Sequence, residues 1–442
     1  MLRRAADREI LRLAVPAFGA LVAEPLFLLA DSAMVGHLGA TPLAALGIAG
    51  AVLQTIVGLM VFLAYGTTPA VARRLGAGHE RDAVEAGIDG MWLAVGIGVV
   101  LAVVGAIVAS PLVALFGASR DVTGQASAYL AVSMAGLPAM LIVYAAAGLL
   151  RGLQDTRTPL WVASGGFAAN IALNAVFIYG AGLGVVGSAV GTVIAQWGMA
   201  AVYIVVAVRH GRRVGAELRP RWAGVRGLSG SGWWLFLRTA SLRVAIILAV
   251  ALATDISSDA LAAWQVTMAV YNAVALALDA LAIAAQALIG RSLGIGDLDA
   301  VRAVLRRCLL WGVGGGAVLG VVLIALSPIF GHVFTGDQNV LALLPVPLAI
   351  IGATTPLGGY VFVLDGVLIG AGDARYLAAT GLANLAVFVP LAWLAVAYGG
   401  SAAASLSWLT LAFALGYLGA RAVTLGLRAR GSRWMVVGAV RA

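Results

Sequence analysis

Twelve apolar runs, each long enough to cross a bilayer as a helix, divide this chain. They fall near 10–36, 43–71, 87–111, 122–149, 159–181, 184–208, 233–254, 260–290, 303–328, 341–369, 377–398 and 401–426. A backbone in hydrocarbon must satisfy its own hydrogen bonds, which leaves helices and closed barrels, and runs of this length are helical. Of the 442 residues, 62% are hydrophobic and 11% charged, against roughly 45–50% and about 25% in soluble domains. The expectation is an all-α polytopic membrane protein of twelve transmembrane helices. The opening stretch "MLRRAADREILRLAVPAFGALV" runs from basic residues straight into a long span, without the small-residue cleavage site of a removable signal.

All 28 basic residues are arginine. Twenty-five lie at the N-terminus, in the loops after even-numbered spans, and in the C-terminal tail. Arg120 alone lies in the opposite loops, and Arg238 and Arg243 fall inside the seventh span. The positive-inside rule then puts both termini in the cytoplasm of a multi-pass protein of the plasma or inner membrane. The net charge of +9 is spread over short loops, so no nucleic-acid partner is expected. Cys308, the only cysteine, excludes an intramolecular disulfide and a cysteine-based zinc site. His37, His79, His210 and His332 form no close pair, and no metalloprotease or nucleophile motif is present. Neither an enzymatic activity nor a cofactor is expected. Trp161, Trp222, Trp233, Trp234 and Trp434 stand near span ends, where an interfacial belt would lie.

The two halves match at a constant offset of 218 residues. "RRLGAG" (73–78) aligns with "RSLGIG" (291–296), "LRGLQDTR" (150–157) with "LIGAGDAR" (368–375), and Pro138 with Pro356. Six spans per half means that both halves enter from the same side, a parallel pseudo-two-fold repeat about the membrane normal. The expected domains are an N-terminal lobe over 1–208, a basic cytoplasmic linker over 209–232, a C-terminal lobe over 233–426 and a cytoplasmic tail over 427–442. Two six-helix lobes around a central cavity are a transporter arrangement. Gly312, Gly316 and Gly320 recur every four residues, matched at the same offset by Ala94, Gly98 and Ala102; such stripes let helices approach closely.

"PLFLLADSAMVGHLG" (25–39) places a carboxylate, Asp31, in a stretch otherwise suited to lipid. Ionisable groups there are costly and usually face a cavity or a pathway. Glu24 lies two turns earlier on the same face, and reads either as a cavity residue or as an acid near the outer mouth. Asn170 and Asn174 are one turn apart in the fifth span, and Thr192 and Gln196 one turn apart in the sixth. With Asp31 they could gather around a small cation or a shared proton, or the amides and Thr192 could simply bind helices together. Pro16 and Pro25 share the span of Asp31, and each removes a backbone hydrogen bond and permits a kink. In the second half the acids are Asp279 and Asp365, with Arg238 and Arg243 nearby in sequence; an ion-pair network or a second coupling or substrate site would explain them. Asp155 and Asp373 occupy matching loops and read as loop-ordering charges.

These residues resemble the MATE multidrug and toxic compound extrusion transporters, and their DinF-like branch in particular. The resemblance covers nearly the whole chain. Its most specific parts are "LADSAMVGHLG" (29–39), "GLLRGLQDTRTP" (148–159) and "VLDGVLIGAGDAR" (363–375). It implies the MATE fold and a cation-driven antiporter that exports organic, often cationic or amphipathic compounds. It implies a coupling site at Asp31, Asn170, Asn174 and Thr192, and a bend in the first span at Pro16. Many members carry a second carboxylate where this chain has Asn174, which weakens a Na⁺ site at these four residues and favours H⁺. Protonation of Asp31 would then bend the first span near Pro16 and release substrate outward. Glu24, Gln196, Asp279 and Asp365 would line the cavity, and Arg238 and Arg243 would join an ion-pair network. The alternatives are Na⁺-coupled antiport and a lipid-linked oligosaccharide flippase of the same superfamily. The expected partners are small organic substrates and membrane lipid, and the expected state is a monomer.

Overall fold

The computed structural model describes residues 2–440. Positions 1, 441 and 442, the outer ends of the first lobe and of the tail expected from sequence, lie outside the described residues. The helices are α1 (Leu2–Gly36), α2 (Ala40–Met60), α3 (Phe62–Gly76), α4 (Glu80–Ala114), α5 (Arg120–Met134), α6 (Leu137–Gly152), α7 (Arg157–Ala175) and α8 (Gly184–Val214). They continue as α9 (Trp222–Ile256), α10 (Ser258–Ile295), α11 (Leu298–Phe330), the short α12 (Gln338–Leu343), α13 (Pro345–Gly370), α14 (Ala374–Ala397), α15 (Ala402–Leu411) and α16 (Leu418–Arg430). π-helical turns follow α7 (Val176–Gly180) and join α15 to α16 (Ala412–Tyr417). Among the described residues there is no strand.

Eleven of the described helical segments are long and apolar enough to cross a membrane, and the pair α5–α6, bent by 49°, makes a twelfth. The breaks have local causes. Pro138 sits in the first turn of α6, where its missing N–H costs nothing, and Pro345 and Pro347 start α13 in the same way.

The chain divides into two compact units: Val15–Gly232, and the residues up to Ala14 together with those from Trp233 onward. This differs from the sequence boundaries at both ends of the first lobe. The stretch expected as a linker, 209–232, holds the last turns of α8 and the first turns of α9, and it packs within the first unit. Glu85 and Asp89, both buried in α4, fasten it. Asp89 accepts from the Arg221 backbone N–H at 2.9 Å and from Nε and Nη2 of its guanidinium at 3.2 and 2.9 Å. Glu85 takes the other Arg221 nitrogen, Arg81 at 2.8 Å and the Glu217 N–H at 3.1 Å. Trp92 donates to the Leu218 carbonyl at 2.9 Å. The first fourteen residues belong to the second unit for a similar reason. Asp7 pairs with Arg307 and accepts from Trp311 at 3.0 Å, Glu9 pairs with Arg291 at 3.3 Å, and Ile10 and Leu13 are buried.

The repeat is written into the backbone. Left-handed residues occur in pairs 218 apart: Gly78 (φ 81) with Gly296 (φ 85), Gln154 (φ 65) with Gly372 (φ 71), and Gly182 (φ 66) with Gly400 (φ 80). The glycine stripe also does what its spacing predicts. A Cβ on Gly316 would stand 2.7 Å from the Thr355 carbonyl of α13, and one on Gly98 would stand 2.5 Å from Cα of Pro138. Trp434 departs from the expected belt: it is fully buried, with its indole N–H 3.3 Å from the Ala429 carbonyl.

Two predictions follow from the clamp and the repeat. Replacing Arg221 with Ala leaves two buried carboxylates short of donors and lowers stability by about 1–3 kcal/mol, whereas Arg219→Ala, at an exposed position of the same loop, leaves it unchanged. Gln154→Gly raises stability by about 0.5–1 kcal/mol by relieving a left-handed side-chain residue, and Gly372→Ala lowers it by a similar amount. The melting temperature of the detergent-solubilised protein reads both.

Candidate functional site

Phe27, Asp31 and Val35, one turn apart on one face of α1, are all buried, as is Ala17 earlier in the helix. In the first unit this face meets α7. Phe27 stacks on Phe167 with ring centroids 5.3 Å apart. One turn on, Asp31 reaches the end of α7, where the Asn174 amide donates to its Oδ1 at 2.8 Å. Ser188 of α8 donates to the same oxygen at 2.5 Å. Small residues permit this convergence. A Cβ on Gly187 would stand 2.6 Å from the Phe177 carbonyl, and one on Gly191 would stand 2.2 Å from Oδ1 of Asn174. Beyond Asn174 the π-helical turn carries Tyr179, whose hydroxyl donates to the Met34 carbonyl at 2.6 Å and ties the C-terminal end of α1. Such turns recur at functional sites because they redirect side chains without ending the helix.

One turn inward, the Asn170 amide donates to Thr192 at 3.0 Å. The expected coupling residues therefore form two neighbouring pairs, Asp31 with Asn174 and Asn170 with Thr192. Asp31, Asn170, Asn174 and Ser188 are each 3% exposed or less, and Thr192 is half-buried at the edge of the cluster. Within it the Oδ1 atoms of Asn170 and Asn174 have no donor among the described residues. A carboxylate whose Oδ1 holds two donors, beside two acceptor oxygens, is suited to take up a proton or a small cation.

Ser188 is the member that sequence reasoning missed. Its signal was present: it precedes Thr192 by one turn, on the face of α8 that carries Gly184, Gly187 and Gly191. Of the other candidates, Pro16 lies within α1, which runs as one helix through it and through Pro25. Glu24 is half-buried on the face of Asp31. Gln196 points elsewhere: its Oε1 fills the space beside Gly136, at the break between α5 and α6, next to Trp197, which donates to the Ala135 carbonyl at 3.0 Å.

In the second unit Asp365 is held between two guanidiniums. It pairs with Arg238 of α9 and accepts from Arg421 at 2.9 Å. Arg421, counted in sequence with the arginines of the cytoplasmic tail, is buried in α16. Its spacing with Leu418 and Leu425, both buried, is the signal that places it inward. A cavity of about 10 Å³, enough for about one water, lies at this triad beside Asn384 and Tyr417. Arg243 and Asp279 are half-buried on α9 and α10 of the same unit. Asp155 caps its own loop, accepting from the N–H groups of Arg157 and Thr158 at 3.0 Å each, and Asp373 pairs with Arg428 at 2.7 Å. Among the described residues no group of three or more His, Cys, Asp or Glu is placed to hold a metal.

The MatE family profile matches residues 16–176 and 237–394. Protein DETOXIFICATION 44, chloroplastic, of Arabidopsis thaliana is 30% identical over 84% of this chain and 73% of its own length. The DNA damage-inducible protein F of Escherichia coli is 28% identical over 68% of each chain. The crystal structure of the Vibrio cholerae MATE transporter VcmN in the bent form superposes with a TM-score of 0.88 at 20% identity, covering 98% of this chain and 99% of that one.

The close packing at Gly191 yields a test of the cluster. Gly191→Ala forces Asn174 off Asp31 and costs about 1–3 kcal/mol. Gly198→Ala, on the same helix with nothing within 4 Å of the added carbon, is neutral or gains up to about 1 kcal/mol. Thermal melts of the two purified variants check this.

Proposed function

This chain belongs to the MatE family of multidrug and toxic compound efflux transporters, which are not enzymes, and we propose that it works as a proton-coupled antiporter. Its cargo is organic, cationic or amphipathic compounds, moved by alternating access. The observation that carries this reading is Asp31: one buried carboxylate among neutral polar groups, with Oδ1 taking two hydrogen bonds and Oδ2 taking none among the described residues. The free oxygen is where a proton would bind. A Na⁺ site calls for several anionic or carbonyl oxygens around one point. Here the groups aimed at Asp31 are donors, and Asn174 stands where many members have a second acid.

The donors of Asn174 and Ser188 bind an ionised carboxylate more strongly than a neutral one. Protonating Asp31 loosens the hold of α7 and α8 on α1, whose Pro16 lacks a backbone hydrogen bond and lets the helix bend. A substrate cation and a proton then compete for one lobe, which is the requirement for exchange. The arginine distribution supports cytoplasmic termini, so the cavity would load from the inside and release outward. The protein works as a monomer in this reading, because the whole cluster is built within one unit.

Proteoliposomes given a proton gradient or a Na⁺ gradient separately test the reading, with counter-transport of ethidium as the readout. The proton gradient alone drives the dye, and Asp31→Asn abolishes that movement without loss of expression. A requirement for Na⁺ would overturn the choice of ion. Movement under neither gradient, with competition by lipid-linked sugars, would replace the antiporter with a flippase.

A further inference from the structure

Glu24 is a carboxylate in the middle of a membrane-spanning helix, and no hydrogen bond or ion pair reaches it among the described residues. Two other acids set deep in the spans have partners: Asp31 has Asn174 and Ser188, and Asp365 has two arginines. An acid without a partner in such a place faces a pathway.

The packing shows where it faces. Glu24 lies on the inward face of α1, but that face opens at its level. Ala17 and Phe27 are buried, whereas Ala20, Leu21 and Glu24 between them are half-buried. The partner helix opens at the same height. α1 and α7 run in register, with Gly19 beside Leu160, Phe27 on Phe167 and Asp31 on Asn174. Glu24 therefore comes level with Ser164, which is exposed on the face of α7 that carries Leu160 and Phe167. The opening beside Glu24 is bounded on the Asp31 side by the Phe27–Phe167 stack. A carboxylate beside aromatic faces suits a cation that carries an aromatic ring.

We propose that Glu24 is the specificity-determining carboxylate of the first unit, binding the positive charge of aromatic organic cations while Asp31 carries the coupling proton. This rests on the antiport reading above and divides its two charges between two turns of α1. Substrate and proton then compete through the helix and not for one oxygen.

The test measures binding of ethidium, an aromatic cation, and of N-phenyl-1-naphthylamine, an uncharged aromatic amine, to the purified protein by fluorescence. Glu24→Gln raises the ethidium Kd about ten- to hundredfold, the loss of a charge-assisted contact. It leaves the Kd of the uncharged amine within about twofold. Glu24→Asp, which keeps the charge, weakens ethidium less than Glu24→Gln does. In proteoliposomes Glu24→Gln raises KM for ethidium and keeps the response to the proton gradient at saturating dye. An unchanged ethidium Kd in Glu24→Gln overturns the proposal. So does equal weakening of both ligands, which would mean a structural role, or normal binding with loss of the proton response, which would make Glu24 a proton carrier. Wild-type protein that moves no dye on any gradient would sink the antiport reading instead, and the binding measurements would still decide the role of Glu24.

Discussion

Inside hydrocarbon, water does not drive helices together, so they associate only as well as their surfaces fit and their polar groups meet. The architecture of both units depends on this. Glycines let α11 lie against α13 at backbone distance, and Gly98 does the same for α4 against Pro138. The same device sets the polar site. Only because α8 offers Gly187 and Gly191 to the end of α7 can Asn174 and Ser188 both reach one oxygen of Asp31. Close packing comes first, and the chemistry is a product of it.

Charge follows the same economy of space. Each unit buries acids, but treats them differently. The second unit locks Asp365 between Arg238 and Arg421, leaving little room around it. The first unit gives Asp31 only neutral donors. A carboxylate fixed by two guanidiniums is costly to neutralise, whereas one held by an amide and a hydroxyl can change state. Halves that share a backbone repeat thus surround these two acids differently.

Much of this was legible in the sequence because membrane helices are specified by long-range composition and not by delicate local balance. The twelve spans, the 218-residue offset and the small-residue stripes all read directly from residue type and spacing. The pairing of Asp31 with Asn174, and of Asn170 with Thr192, was legible as a set of polar residues at one-turn spacing, but not as two separate pairs. What stayed hidden depended on three-dimensional closeness. Ser188 looks like any small residue in a glycine-rich helix until α1 is laid beside it. Arg421 looks like a terminal loop arginine, because charge counting by position ignores which face of a helix it occupies. The stretch 209–232 looks like a free connector, because its fasteners, Glu85 and Asp89, lie 132 residues away from Glu217 and Arg221.

That fastening changes what joins the two units. Neither covalent crossing is a loop. The chain passes from the second unit to the first inside α1, between Ala14 and Val15, and back again inside α9, between Gly232 and Trp233. Each crossing also carries a weakened stretch, Pro16 in α1 and Gly227, Gly230 and Gly232 in α9, where backbone bending is cheapest. Both covalent links between the units are therefore continuous helix, and each places its most pliable backbone within a few residues of the crossing.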